Sequence, residues 1–209
     1  MQMKYGFLSK IPFEQLLQWQ TWLSAEKQKK LGQLPLFRQR QLICGEGFAR
    51  LLLAKQLSIE PQAVQITYSL TGKPLTAGAW FSISHTNDLI VCAVDFVPLG
   101  IDVEKIRPVG QGVIQKLLPE QKSYIKNAPV GNEDEYFFRV WTAGEAYVKC
   151  LDKPWHAVLE APLPTNDKTY CSSSLQFTFQ RIATDYLLAL CRQGKETLRA
   201  PFANRQNRA

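Results

Sequence analysis

Only two histidines, His85 and His156, occur in 209 residues, which excludes a His-rich metal site. The five cysteines (Cys44, Cys92, Cys150, Cys171, Cys191) are odd in number, widely spaced and mostly set in apolar runs. They read as reduced core residues of a cytoplasmic protein, and neither a disulfide frame nor a zinc site suits their spacing. No apolar run approaches the length that spans a bilayer, and the opening MQMKYGFLSKIPF has no apolar segment of a secretory signal, so neither a membrane span nor export is expected. Glycine-aromatic runs of the RNA-binding kind are missing too. What is there is ordinary for a globular protein, 45% apolar and 21% charged residues, enough for one sizeable domain or two small intimate lobes. Lys and Arg number 25 against 18 Asp and Glu, a net charge of +7. That surplus points to an anionic partner: nucleic acid, a membrane surface, an acidic protein or a phosphorylated ligand.

The most informative stretch runs from Phe81 to Pro108. Phe81, Ile83 and His85 alternate with Ser82, Ser84 and Thr86, the period of a strand. Thr86-Asn87-Asp88 reads as a tight turn, and Leu89 to Val94 as a strand buried on both faces. After Pro98, Gly100-Ile101-Asp102-Val103-Glu104 alternates again, setting Asp102 and Glu104 together on the face away from Ile101 and Val103. Two such carboxylates repel unless a cation lies between them, yet a solvated strand end accounts for them equally well. Some forty residues on, Glu145 and Lys149 are helix neighbours four apart. That pair fits a site, but it also fits simple helix stabilisation, and Thr142 with Glu145 fits a capping box. Spacing alone leaves both readings open.

Four motifs in order carry a resemblance: Gly72-Lys73-Pro74, Phe81-Ser82-Ile83-Ser84-His85-Thr86, Gly100-Ile101-Asp102-Val103-Glu104, and Trp141-Thr142-Ala143-Gly144-Glu145-Ala146-Tyr147-Val148-Lys149. Together they resemble the 4′-phosphopantetheinyl transferase superfamily, Sfp type. The resemblance implies an α+β fold of two similar α/β lobes in one chain, with the active site in the cleft between them; the expected division is 1–108 and 109–209. It implies transfer of the phosphopantetheine arm of coenzyme A to a serine of an acidic apo carrier protein, with Mg²⁺ as cofactor. Asp102, Glu104 and Glu145 are then the expected metal ligands, Glu104 alternatively positioning a metal-bound water. Glu145 and Lys149 are the expected catalytic pair, Glu145 as a base and Lys149 against the pyrophosphate. Arg40, Lys73, Ser84 and His85, with Lys149, are expected to hold the coenzyme. The small chain resembles the shorter bacterial members, which suggests an acyl carrier protein as partner and a monomer. Two positions depart from the pattern: Gly144 replaces a Lys, and Cys150-Leu151-Asp152-Lys153-Pro154 lacks the usual glycines. Gly144 leaves room for an impaired homologue that only binds coenzyme A. A nucleic-acid-binding domain accounts for the charge, but its phosphates would be repelled by three clustered carboxylates.

Elsewhere the pattern predicts helices over Phe13–Leu23, after a Ser24 cap, and over Phe37–Leu57, where Arg38, Arg40 and Arg50 make a basic face. Ile66–Tyr68 reads as a short strand. Short helices are expected over Gln111–Leu118 and Pro119–Lys126. A helix over Glu133–Lys149 is expected to break at Thr142, which would make Gly144 the second residue of a new helix and Gly144→Lys harmless. Strands are expected at Ser174–Gln180 and Tyr186–Cys191, and a loose tail after Lys195. Thr184–Cys191 faintly echoes Asn87–Val94.

Overall fold

The computed structural model describes residues 1–166 and 168–194; the expected tail lies outside them. In its first half, β1 (Gln2–Phe7) is followed by α1 (Phe13–Gln20), α2 (Ala25–Leu31) and α3 (Leu36–Leu57). A two-stranded hairpin, β2 (Thr67–Tyr68) and β3 (Pro74–Leu75), precedes the longer hairpin β4 (Trp80–Thr86) and β5 (Leu89–Asp95). The second half holds β6 (Leu99–Lys105), α4 (Gln111–Ile114), α5 (Pro119–Lys126), α6 (Glu133–Leu151), β7 (Thr169–Ser172), β8 (Leu175–Ile182) and β9 (Tyr186–Gln193).

The two halves repeat one topology. Strand, helix and hairpin give the sheet order β1–β5–β4 in the first and β6–β9–β8, extended by β7, in the second, all antiparallel. A detail repeats with it: the Leu8 N–H donates to the Asp88 carbonyl at 2.6 Å, and the Ile106 N–H to the Asp185 carbonyl at 2.7 Å. Asp88 and Asp185 are the residues aligned by the faint sequence echo, so that echo falls on equivalent hairpin turns. Leu99–Lys105 pairs with β9.

Helices cover the outer faces and the sheets meet between them. α3 packs on Phe81, Ile90, Cys92 and Val94, and α1 lies against α3. α6 packs on Phe177, Leu187, Ala189 and Cys191. Leu89, Val91 and Ala93 of β5 meet Ile101, Val103, Leu188 and Leu190 of the other sheet. β5 is thus buried along its whole length, as its unbroken apolar run predicts.

Three strands are not legible in the sequence: β1, β7 and the two-residue β3, whose Pro74 reads as part of a turn. β1 and β7 are sheet edges, mixed in exposure, and edge strands carry no clean alternation of apolar and polar residues. The expected break in the long helix does not occur. Thr142 is buried and its hydroxyl donates to the Phe138 carbonyl at 2.7 Å, one turn back, so it follows the helix instead of capping a new one. Ser24 does cap α2, accepting the Lys27 N–H at 3.3 Å. Cys44, Cys92, Cys150 and Cys191 are buried, Cys171 is exposed, and all five are unpaired thiols.

Candidate active site

One close approach brings the site together. A Cβ built on Gly100 would lie 2.1 Å from the Ala146 carbonyl oxygen and 2.4 Å from the Cys150 nitrogen, so only glycine lets α6 press directly onto β6 here. Asp102 and Glu104 follow Gly100 on the same strand face and meet the neighbouring turns of α6. The Lys149 ammonium stands 2.7 Å from Asp102 Oδ1 and 4.0 Å from Glu145 Oε2.

The second wall is the edge of β4. Ser82 and Ser84 hydroxyls accept the Ile101 and Val103 N–H groups at 3.1 and 3.2 Å, standing in for strand carbonyls along the seam. Ser84 Oγ also donates to Asp102 Oδ1 at 2.8 Å, and Thr86 Oγ1 donates to Glu104 Oε2 at 2.8 Å. Asp102 is therefore only 5% exposed, not set on a solvated strand face as its pattern allowed.

Between these walls opens a cleft of about 950 Å³ lined by Lys73, Ser84, His85, Asp102, Glu104, Glu145 and Lys149. Seven of the eight expected site residues thus converge. Arg40 does not. Its Nη2 donates to the Leu8 and Ile11 carbonyls at 3.0 and 3.2 Å, a structural tie. Arg38, two residues earlier on α3 and so roughly 200° round the helix, lines a second cavity of about 420 Å³ instead, with Lys27, Tyr68 and His85. The two cavities share Pro74, Phe81, Ile83 and His85. In the sequence Arg38 reads only as part of a solvated basic face; the register of α3 is what sets it at this cavity. Trp155 was missed as well: its Nε1–H donates to Glu145 Oε1 at 2.9 Å.

Burial sets the protonation of the site. It raises the Glu145 pKa, aided by the charges of Asp102 and Glu104, while Lys149 and the Trp155 hydrogen bond act against it. Burial lowers the Lys73 pKa, and it lowers that of His85, where Arg38 and Lys149 add repulsion. Both cavities present cations to a ligand, and both have apolar walls.

Among the described residues, no three Asp, Glu, His or Cys side chains stand together closely enough to hold a metal ion. The three carboxylates expected to share one are each engaged elsewhere: Asp102 with Ser84 and Lys149, Glu104 with Thr86 and Arg107, Glu145 with Trp155. The donor chemistry nevertheless fits a hard cation. Asp102 Oδ2 is buried with no hydrogen-bond partner, and all three carboxylates line the one cleft.

Residues 98–195, which carry Asp102, Glu104, Glu145 and Lys149, match the 4′-phosphopantetheinyl transferase superfamily. That match covers just under half of the chain. Its relatives include the 4′-phosphopantetheinyl transferase HetI of Nostoc sp., 32% identical over 121 residues, 53% of this chain and 51% of the relative. A 4′-phosphopantetheinyl transferase of Bacillus subtilis is 28% identical over 136 residues, 63% of this chain and 61% of its own. The 4′-phosphopantetheinyl transferase Sfp of Bacillus subtilis strain 168 is 24% identical over 111 residues, 51% of this chain and 50% of its own. The alignments span about half to three-fifths of these relatives. The mixed helix-and-sheet architecture agrees with the superfamily fold.

Proposed function

We propose that this protein moves the 4′-phosphopantetheine arm of coenzyme A onto a serine hydroxyl of an apo carrier protein, releasing 3′,5′-ADP. The observation that carries the reading is the cleft itself, where Lys73, Lys149 and His85 face Asp102 and Glu145 in a chain whose residues 98–195 match this superfamily. Phosphoryl transfer asks of a protein mainly positioning and charge neutralisation, which this set of side chains supplies.

In this reading the large cleft takes the pyrophosphate, with Lys149 and Lys73 as its cations. The adjoining cavity takes the nucleotide end, Arg38, Lys27 and His85 facing its phosphate and Tyr68 and Ile66 its base. Arg38 replaces Arg40 in that role. Glu145, whose raised pKa brings it nearer neutrality, accepts the proton of the incoming serine hydroxyl, directly or through a water. Asp102, Glu145 and Glu104 would hold Mg²⁺, which when bound neutralises charge on the phosphates. Binding energy from the remote nucleotide orients the reacting phosphorus.

The +7 charge suits a polyanionic coenzyme and an acidic carrier protein, and an acyl carrier protein is our choice of partner. No helix among the described residues is long and apolar enough to cross a membrane. With four buried, unpaired cysteines this supports a cytoplasmic setting, and both lobes of the cleft in one chain support a monomer. Gly144, the departure that admitted a binding-only homologue, packs on Val158 and is not in the cleft lining.

The test is incubation with coenzyme A, Mg²⁺ and an apo acyl carrier protein, followed by intact mass of the carrier. A carrier heavier by one phosphopantetheine supports the reading. Coenzyme binding with an unchanged carrier mass identifies a binding protein instead, and retention of nucleic acid without either identifies the basic-domain alternative.

A further inference from the structure

The turn between β2 and β3 is tied to the far end of α6. Asp152 ends that helix at φ 53°, and its Oδ1 accepts the Ser69 hydroxyl at 3.0 Å and the Thr71 hydroxyl. Ser69 Oγ in turn accepts the Lys73 N–H at 3.1 Å, and the Ser69 N–H donates to the Lys73 carbonyl at 2.9 Å. The Lys73 ammonium lies 3.3 Å from the Cys150 carbonyl, over the Trp80 ring. Residues 69–73 thus form a closed loop pinned at one carboxylate.

That pin has little help. β2 and β3 form a sheet of their own with two residues in each strand, too few to hold a hairpin in water. Leu70 at the tip is exposed. The pin is also costly in two ways. Left-handed backbone suits glycine better than aspartate, and Asp152 adds a fourth carboxylate to the cleft lining, beside Asp102, Glu104 and Glu145.

We propose that Asp152 is a positioning residue for Lys73: by clasping the 69–73 turn to the end of α6, it fixes where the Lys73 ammonium stands in the cleft. The inference rests on the reading above that Lys73 meets a phosphate of coenzyme A. Electrostatics agree, since the Asp152 charge favours the ammonium of Lys73 against the burial that disfavours it. The clasp also gives a role to one residue of the stretch Cys150–Pro154, where the superfamily resemblance leads one to expect glycines.

The experiment is calorimetric titration of 3′,5′-ADP into the full chain and into D152G, D152N, K73A and D152G/K73A, with amide exchange measured in parallel. Glycine is at ease at φ 53°, so D152G removes the carboxylate without backbone strain. D152G should weaken binding roughly tenfold, the lower end for a lost charged hydrogen bond. D152N keeps an acceptor oxygen and should stay within about twofold of wild type, and D152G should add less than about twofold in the K73A background. The Gly72 and Lys73 amides should exchange faster in D152G, with the melting temperature unchanged. Binding by D152G equal to wild type, or an undiminished loss in the K73A background, overturns the proposal. A wild type that binds no 3′,5′-ADP overturns the functional reading instead; unchanged Gly72 and Lys73 exchange in D152G would then still refute the clasp.

Discussion

Ser84 holds Asp102 by one hydroxyl that works in both directions, donating to Oδ1 at 2.8 Å and accepting the Val103 N–H at 3.2 Å. It fastens β4 to β6 and aims the carboxylate in the same act. Ser84→Ala leaves a buried N–H unsatisfied, a loss of about 1–3 kcal/mol. At about 2–4 °C per kcal/mol for a chain of this size, melting should fall by several degrees, and carrier modification should slow because Asp102 loses its guide. A variant that melts and turns over like wild type would show that the hydroxyl contributes nothing to either.

Asp102→Asn separates charge from shape. The amide oxygen can still accept from Ser84, while the Lys149 ammonium loses its closest anion. We expect transfer to drop at least a hundredfold, about 3 kcal/mol at the transition state, with the fold and 3′,5′-ADP affinity close to wild type. Retained turnover in the folded variant would remove Asp102 from the chemistry.

Gly100→Ala tests the contact that assembles the site. The added Cβ cannot share space with the Ala146 carbonyl at 2.1 Å, so α6 must retreat from β6. Overpacking of this kind costs about 1–3 kcal/mol, and the retreat carries Glu145 and Lys149 away from Asp102. Both melting temperature and turnover should fall, with kcat affected more than the KM for coenzyme A. A variant stable and active as wild type would mean that the helix can shift without disturbing the cleft.

The sequence held the site better than its surroundings. Alternation in β4 and β6 gave the facing of Ser82, Ser84, Asp102 and Glu104, because a period-2 pattern fixes sides without knowing partners. Glu145 and Lys149 followed from helical spacing in the same way. What did not follow was anything set by a distant neighbour. Arg38 and Arg40 are equally basic on the page, and only the packing of α3 decides which is tied to Leu8 and Ile11 and which reaches a cavity. Thr142 reads as a cap because its hydroxyl can serve one; the packed helix gives it the Phe138 carbonyl instead. Nothing in the stretch Cys150–Pro154, read only as lacking glycines, singles out Asp152; its role depends on the turn of a distant strand pair that rests on it.

His85 predicts a pH dependence. Burial holds its imidazole below the usual range, so it is neutral near pH 7 in the free protein. A phosphate bound beside it favours the imidazolium and raises that pKa, so binding takes up a proton. Affinity for 3′,5′-ADP should therefore rise as pH falls from about 8 to 6, and His85→Gln should lose that part of the trend while keeping the ligand's own titration. Stability runs the same residue the other way. The unfolded imidazole, with a pKa near 6.5, binds protons more readily than the folded one, so stability is full above that pH and declines below it. Parallel pH profiles in wild type and His85→Gln would exclude His85 from the phosphate site.

Gly144 reverses an expectation. At the start of a helix, lysine there would be harmless or better, and alanine or lysine in an exposed helix interior would gain up to about 1 kcal/mol over glycine. Gly144 instead lies in the middle of α6, buried, where a Cβ would come within 2.6 Å of both the Val158 carbonyl oxygen and its Cγ2. The segment Trp155–Glu160 packs against α6 through this gap, and it is the segment that delivers the Trp155 indole to Glu145. A side chain must push backbone aside, which costs more than helix propensity returns. Gly144→Ala should therefore melt several degrees below wild type, and Gly144→Lys should melt lower still with reduced turnover. Trp155 fluorescence should change in both variants as the indole leaves Glu145. A Gly144→Lys protein with wild-type melting, fluorescence and activity would place residue 144 back at the cleft surface and undo the packing described here.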